Sequence, residues 1–110
     1  MSKYQSKKTT INGITFDSKK EAKRYYELML LERAGEITEL ETQFKFLLQP
    51  AFKKNGKTIR AMYYIADFVY KDTRSGKTIV EDTKGFRTEA YNIKKKLFEY
   101  AYPTLTIKEV

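Results

Sequence analysis

Asp67 lies in the segment Tyr64-Ile65-Ala66-Asp67-Phe68-Val69-Tyr70, and Asp82 and Lys84 lie in Thr78-Ile79-Val80-Glu81-Asp82-Thr83-Lys84-Gly85, with a Ser75-Gly76 turn between them. Side chains two apart on a strand share a face, so Asp82 and Lys84 point one way and Glu81 the other, as a structural or solvent-facing acid. If the two segments pair as a hairpin, a suitable register sets the Asp67 carboxylate beside Asp82. Two carboxylates so placed repel unless a cation bridges them. Mg²⁺ or Mn²⁺ would do so, with the Thr83 main-chain carbonyl as a third oxygen ligand. Lys84 would then orient or help deprotonate a water and offset charge on a phosphate ester. The competing reading of the same residues is a structural salt bridge between Asp67 and Lys84.

Composition narrows the chemistry further. The chain of 110 residues has neither Cys nor His. Disulfides, thiolate nucleophiles, His-based metal sites and Ser-His-Asp triads are therefore excluded, and a metal site must be built from oxygens. Lys and Arg number 22 against 14 Asp and Glu, a formal net charge of +8. Such a surplus favours a polyanionic partner, because each phosphate contact releases condensed counterions. The sequence has no apolar run long enough for a bilayer and no signal-peptide pattern, so we expect a cytoplasmic protein without a membrane partner.

The elements that must position these residues are legible in outline. Residues 1–10 are polar and basic and read as a flexible arm, with one domain over 11–110. Ser18-Lys19-Lys20-Glu21 fits a capping box, and Ala22, Tyr25, Tyr26, Met29 and Leu30 follow at helical spacing, with Gly35 as a stop. Leu40, Thr42, Phe44, Phe46 and Leu48 alternate with polar residues as a strand, which Pro50 ends or bulges. Asn55-Gly56 marks a hairpin turn into a second strand from about Thr58 to Lys71, and Thr78 to Lys84 forms a third. Thr88 caps a second helix with Ala90, Ile93, Leu97 and Ala101 inward and Pro103 as its end. Leu105 and Ile107 open a last strand, parallel to the third because the helix can serve as a crossover. The expected architecture is an α/β sandwich around a mixed sheet.

Asp67 followed by Glu81-Asp82-Thr83-Lys84 resembles the bipartite D…(D/E)-x-K signature of the PD-(D/E)XK nuclease superfamily, whose restriction-endonuclease-like core has the same αβββαβ order. Phe16-Asp17-Ser18-Lys19-Lys20-Glu21-Ala22, Ala66-Asp67-Phe68, Glu81-Asp82-Thr83-Lys84-Gly85 and Tyr91-Asn92-Ile93-Lys94-Lys95-Lys96 resemble more narrowly a family of small phage and prophage endonucleases. The superfamily's namesake Pro is absent, Ala66 standing before Asp67. The resemblance implies a Mg²⁺- or Mn²⁺-dependent DNA endonuclease, acting on branched or Holliday-junction DNA in phage recombination. It also implies a metal-shell role for Glu21, which fits equally the N3 position of the capping box.

Arg87, Lys94, Lys95 and Lys96 are the candidate DNA contacts, with Arg87 the best placed beside Lys84; a charge run on a helix can equally be a solvated face. Gln43 on the first strand could hydrogen-bond near the cleft or simply be exposed. Symmetric junctions suit a two-fold homodimer. The alternatives are a non-catalytic nucleic-acid-binding module on a nuclease fold, and a phage modulator that binds a host protein.

Overall fold

The computed structural model describes residues 8–83 and 87–110. In chain order its elements are β1 (Thr9–Ile11), β2 (Ile14–Phe16), α1 (Lys19–Arg33), β3 (Ile37–Gln49), β4 (Phe52–Lys54), β5 (Lys57–Ile59), β6 (Met62–Asp72), β7 (Thr78–Asp82), α2 (Glu89–Ala101) and β8 (Ile107–Glu109). β1 begins at Thr9, so the end of the expected arm at Thr10 belongs to a small hairpin with β2.

The local signals act as their chemistry requires. The Ser18 hydroxyl accepts from the Glu21 N–H at 3.1 Å and the Thr88 hydroxyl from the Tyr91 N–H at 3.0 Å, so each satisfies an orphan donor at a helix start. Asn55 and Gly56 both adopt positive φ, 51° and 75°, and close the tight β4–β5 turn. Pro50 ends β3, and what was expected as one strand from Thr58 is two, β5 and β6.

β3, β6, β7 and β8 form one mixed sheet in the order β3-β6-β7-β8, antiparallel except for the β7–β8 pair, which is parallel as expected. The helices cover its two faces. α1 brings Ala22, Tyr25 and Leu28 onto Ile37, Phe68 and Tyr70. α2 brings Tyr91 and Phe98 onto Phe46, Tyr64, Ala66, Val80 and Ile107. The result is a single α/β domain with a mixed sheet and two helices.

Three expected faces are corrected. On α1, Tyr26 and Leu30 are exposed, and Leu28 is the buried residue instead. On α2, the expected inner stripe faces outward: Ile93 is 52% and Leu97 40% exposed, while Tyr91 and Phe98 fill the core. The larger rings win because they fill more of the space between α2 and the sheet, Phe98 stacking on Tyr102 and meeting Phe46 edge-on. On β3, Leu40 packs with the α1 cluster but Phe44, Phe46 and Leu48 pack with the α2 side. The even alternation breaks because Glu39 and Gln43 adopt left-handed φ of 57° and 53°. β6 makes the matching change, with Ala66 on one face and Phe68 on the other.

α1 is tied to β7 by a buried ion pair. Arg24 donates to both oxygens of Glu81, Nε at 2.8 Å and Nη2 at 2.7 Å, and the Tyr70 hydroxyl also donates to Glu81. Glu81 is fully buried, so it is a structural acid and not a solvent-facing one. Glu27, the other Arg24 partner at 3.1 Å, lies on the surface. We expect Arg24→Leu to lower unfolding free energy by about 3–5 kcal/mol, because it strands a buried carboxylate. Glu27→Ala should cost less than about 1 kcal/mol, both read from urea denaturation.

Candidate functional site

The site is built where β3 and β6 change face. The register Phe68↔Glu81 between β6 and β7, continued by one step, sets Asp67 across from Asp82. Gln43 stands between the pairs Thr42↔Phe68 and Phe44↔Ala66, level with Asp67. A left-handed non-glycine residue costs on the order of 1–3 kcal/mol and persists only where its surroundings impose it. Here Gln43 Nε2 donates to Glu21 Oε2 at 2.7 Å, which holds the α1 carboxylate against the sheet. Gln43 therefore makes the contact that the sequence left open.

Glu21, Asp67 and Asp82 are all buried. Each carboxylate has a neutral donor. Asp67 Oδ2 accepts from the Thr83 N–H at 2.8 Å and from the Thr83 hydroxyl at 2.7 Å. Asp82 Oδ2 accepts from the Tyr64 hydroxyl at 2.7 Å. Burial, then the hydrogen bond to Asp82, raises the Tyr64 phenol far above its ordinary value, so it remains a donor throughout the accessible pH range. Thr83 meets Asp67 through its N–H and hydroxyl, a contact the sequence reading missed in favour of the main-chain oxygen. Tyr64 was missed as well; its only trace in the sequence is its alternation with Ala66 on one face.

The structure joins Asp67, midway along β6, to Thr83, just past the end of β7 at Asp82. Asp82 faces the α2 side with Tyr64, whereas Glu21 reaches the sheet from α1. Lys84 lies outside the described residues. Among the described residues, no group of three or more acids lies close enough to hold a metal ion. A groove of about 180 Å³ opens at Thr83, lined also by Lys20, Lys23, Arg24, Glu27 and Val110. Lys20 and Lys23 were not among the expected contacts. Their signal was available: both precede or follow Glu21 on one short stretch of α1.

The expected DNA contacts divide. Arg87 and Lys95 converge on Glu109, Lys95 Nζ at 3.7 Å, and the Tyr91 hydroxyl donates to Glu109 at 2.8 Å. Lys94 is half-buried and Lys96 exposed on α2. The Tyr91 hydrogen bond, with Lys95 and Arg87 nearby, holds the Glu109 carboxyl below the ordinary carboxylate range. No helix among the described residues is long and apolar enough to cross a membrane.

A family model described as a protein of unknown function, DUF1064, matches residues 1–110, and the chain belongs to that family. No curated protein and no solved structure matches the chain.

Two outcomes are expected of these contacts. Asp67→Asn keeps an acceptor oxygen for Thr83, whereas Asp67→Ala leaves a buried N–H unpaired and should cost about 1–3 kcal/mol more in chemical denaturation. A carboxyl lowered in the folded state contributes stability above its unfolded value and loses it as pH falls through the folded one. Glu109→Gln should therefore flatten the fall of stability below about pH 4.5, the ordinary glutamate value, measured by thermal melts across pH.

Proposed function

We propose that this protein is a metal-dependent endonuclease that hydrolyses DNA phosphodiesters on a restriction-endonuclease-like core. The observation that carries the reading is the Asp67–Asp82 pair, two buried acids on adjacent antiparallel strands, each one residue beyond the Phe68↔Glu81 pair. Side by side, two carboxylates cannot both stay ionised and dry without a cation or a proton. The element order α1, β3, β6, β7, α2, β8 supports the same core, and the net charge of +8 supports a polyanionic substrate.

The donor set fits the implied metal in kind. It is all oxygen, and Mg²⁺ ordinarily takes only one or two carboxylates beside waters and substrate phosphates. Asp67 and Asp82 would hold the ion, which would supply Lewis-acid stabilisation of charge on the phosphate. The chain's own groups do the rest. Thr83 and Tyr64 orient the two carboxylates, and Gln43 turns Glu21 toward the sheet. Lys84, two residues after Asp82 in the sequence, offsets charge and orients the water. Lys20 and Lys23 draw the phosphate backbone to the groove beside Thr83.

Within this reading the substrate is branched or junction DNA and the protein is a homodimer, with the outward stripe Ile93, Leu97 and Tyr100 of α2 as the surface a second copy would cover. One observation favours a second reading, a nucleic-acid-binding module without hydrolysis: Asp82 has no solvent exposure. Supercoiled plasmid and synthetic four-way junctions incubated with protein and Mg²⁺ or Mn²⁺ separate the two. We expect nicked and linear products that vanish with chelator. Asp82→Asn and Asp67→Asn should each slow cleavage by at least about 100-fold, the scale of losing one electrostatic contact to a transition state. Equal products from wild type and Asp82→Asn would sink the nuclease reading.

A further inference from the structure

The β4–β5 hairpin belongs to neither core cluster, and every residue from 51 to 60 is exposed. The molecule as a whole is extended for its length. The radius of gyration is 15.9 Å with a longest extent of 53 Å, against about 13 Å expected for a compact domain of this length. Among the described residues nothing buries this arm, so its residues answer to something outside the fold.

Its charge has one sign. Between Glu41 and Asp67 the sequence has no acidic residue, while Lys45, Lys53, Lys54, Lys57 and Arg60 are all cationic. The register is more telling than the sum. Lys54 pairs directly with Lys57 across the turn, and Phe52 pairs directly with Ile59. Like charges directly opposed on a hairpin destabilise it. An anion seated between them removes that penalty. Alternation places Phe52 and Ile59 on the same face as this lysine pair, and they are 41% and 40% exposed. One face of a narrow ribbon thus ends in two cations and begins in two apolar side chains.

We propose that the β4–β5 hairpin docks in the major groove of duplex DNA, with Lys54 and Lys57 on phosphates and Phe52 and Ile59 against base edges. A two-stranded ribbon fits the B-form major groove, where apolar side chains meet thymine methyl groups. The deep, narrow major groove of A-form RNA does not admit it. The Asn55-Gly56 turn keeps the tip to two residues, which suits entry into a groove. The arm is continuous with the site: its strands run into β3 and β6, which hold Gln43 and Asp67. On the way, Lys45 Nζ lies 5.7 Å from the exposed Tyr63 ring. Lys57 and Asp67 are ten residues apart, at most about 33 Å of extended chain at about 3.3 Å per residue. Hairpin and site can thus engage DNA within about one helical turn, roughly 34 Å. The inference rests on the reading of this protein as DNA-acting, and not on hydrolysis.

The test is fluorescence anisotropy of the full chain with a labelled 30-base-pair duplex in chelator, over a series of salt concentrations. The variants are Lys54→Ala/Lys57→Ala and, separately, Phe52→Ala/Ile59→Ala. The lysine variant should bind at least about 10-fold more weakly near physiological salt, with the log–log salt slope smaller by about 2. The apolar variant should lose affinity with the slope unchanged. Thermal melts should match wild type, since the substituted side chains support neither core. Wild-type affinity and slope in the lysine variant would overturn the proposal. So would tighter binding to duplex RNA of the same sequence, or a lost dimer in sedimentation with DNA affinity intact. Plasmid cleavage separates the two readings: equal cleavage by wild type and lysine variant removes the hairpin's role alone, and no cleavage by wild type with hairpin-dependent binding removes hydrolysis alone.

Discussion

A regular strand shows alternate residues to alternate faces, and a sheet covered by one helix on each side must divide its apolar residues by that rule. β3 and β6 meet the demand by changing face partway along. Gln43 in the left-handed region does so on β3, and Asp67 sits at the matching point of β6. The α1 cluster therefore takes Ile37, Leu40, Phe68 and Tyr70 from this strand pair, and the α2 cluster takes Phe44, Phe46, Tyr64 and Ala66, with Val69 alternating to that side. Everything at the candidate site follows from that crossing. It is the level at which β3 leaves regular pairing, where Gln43 meets Glu21 and Asp67 meets Thr83.

The acids around this point are held by different means. Glu81 has a guanidinium and a phenol, and becomes part of the scaffold that fixes α1 to β7. Asp67 has the N–H and hydroxyl of one threonine, and Asp82 a phenol. A full ion pair neutralises a buried carboxylate, whereas hydrogen bonds from neutral groups orient it and leave its charge in place. Adjacent residues 81 and 82 thus take opposite duties, one structural and one chemical in the proposed reading, because strand alternation sends them to opposite faces.

Much of this was legible in the sequence where the signal is local. The Ser18 and Thr88 caps, the Asn55-Gly56 turn, the stop at Pro50 and the parallel last strand all depend on a few neighbouring residues. The opposite faces of Glu81 and Asp82 followed from period two. What could not be read depends on partners far along the chain. Glu39 and Gln43 are ordinary strand residues by composition, and only the competing demands of two helices push them into the left-handed region. The inward face of α2 was misread for a related reason: Ala90, Ile93 and Leu97 are the more uniformly apolar stripe, but Tyr91, Phe98 and Tyr102 have the volume the sheet requires. The pairing of Thr83 with Asp67 needed a register that no turn residue encodes.

β3 is also one of the two edge strands of the sheet, and at 13 residues much the longer. A long, flat outer strand offers unpaired backbone groups to any other chain, which is the usual route to edge-to-edge association. The register shifts at Thr38–Glu41 and Leu47–Gln49, together with left-handed Gln43 between them, leave no long regular stretch on which a foreign strand could align. The Tyr102 hydroxyl also occupies the Leu47 carbonyl, at 2.9 Å. The irregularities that divide the two cores therefore serve as a guard on this long edge of the sheet. Straightening β3 would then threaten solubility in addition to the site.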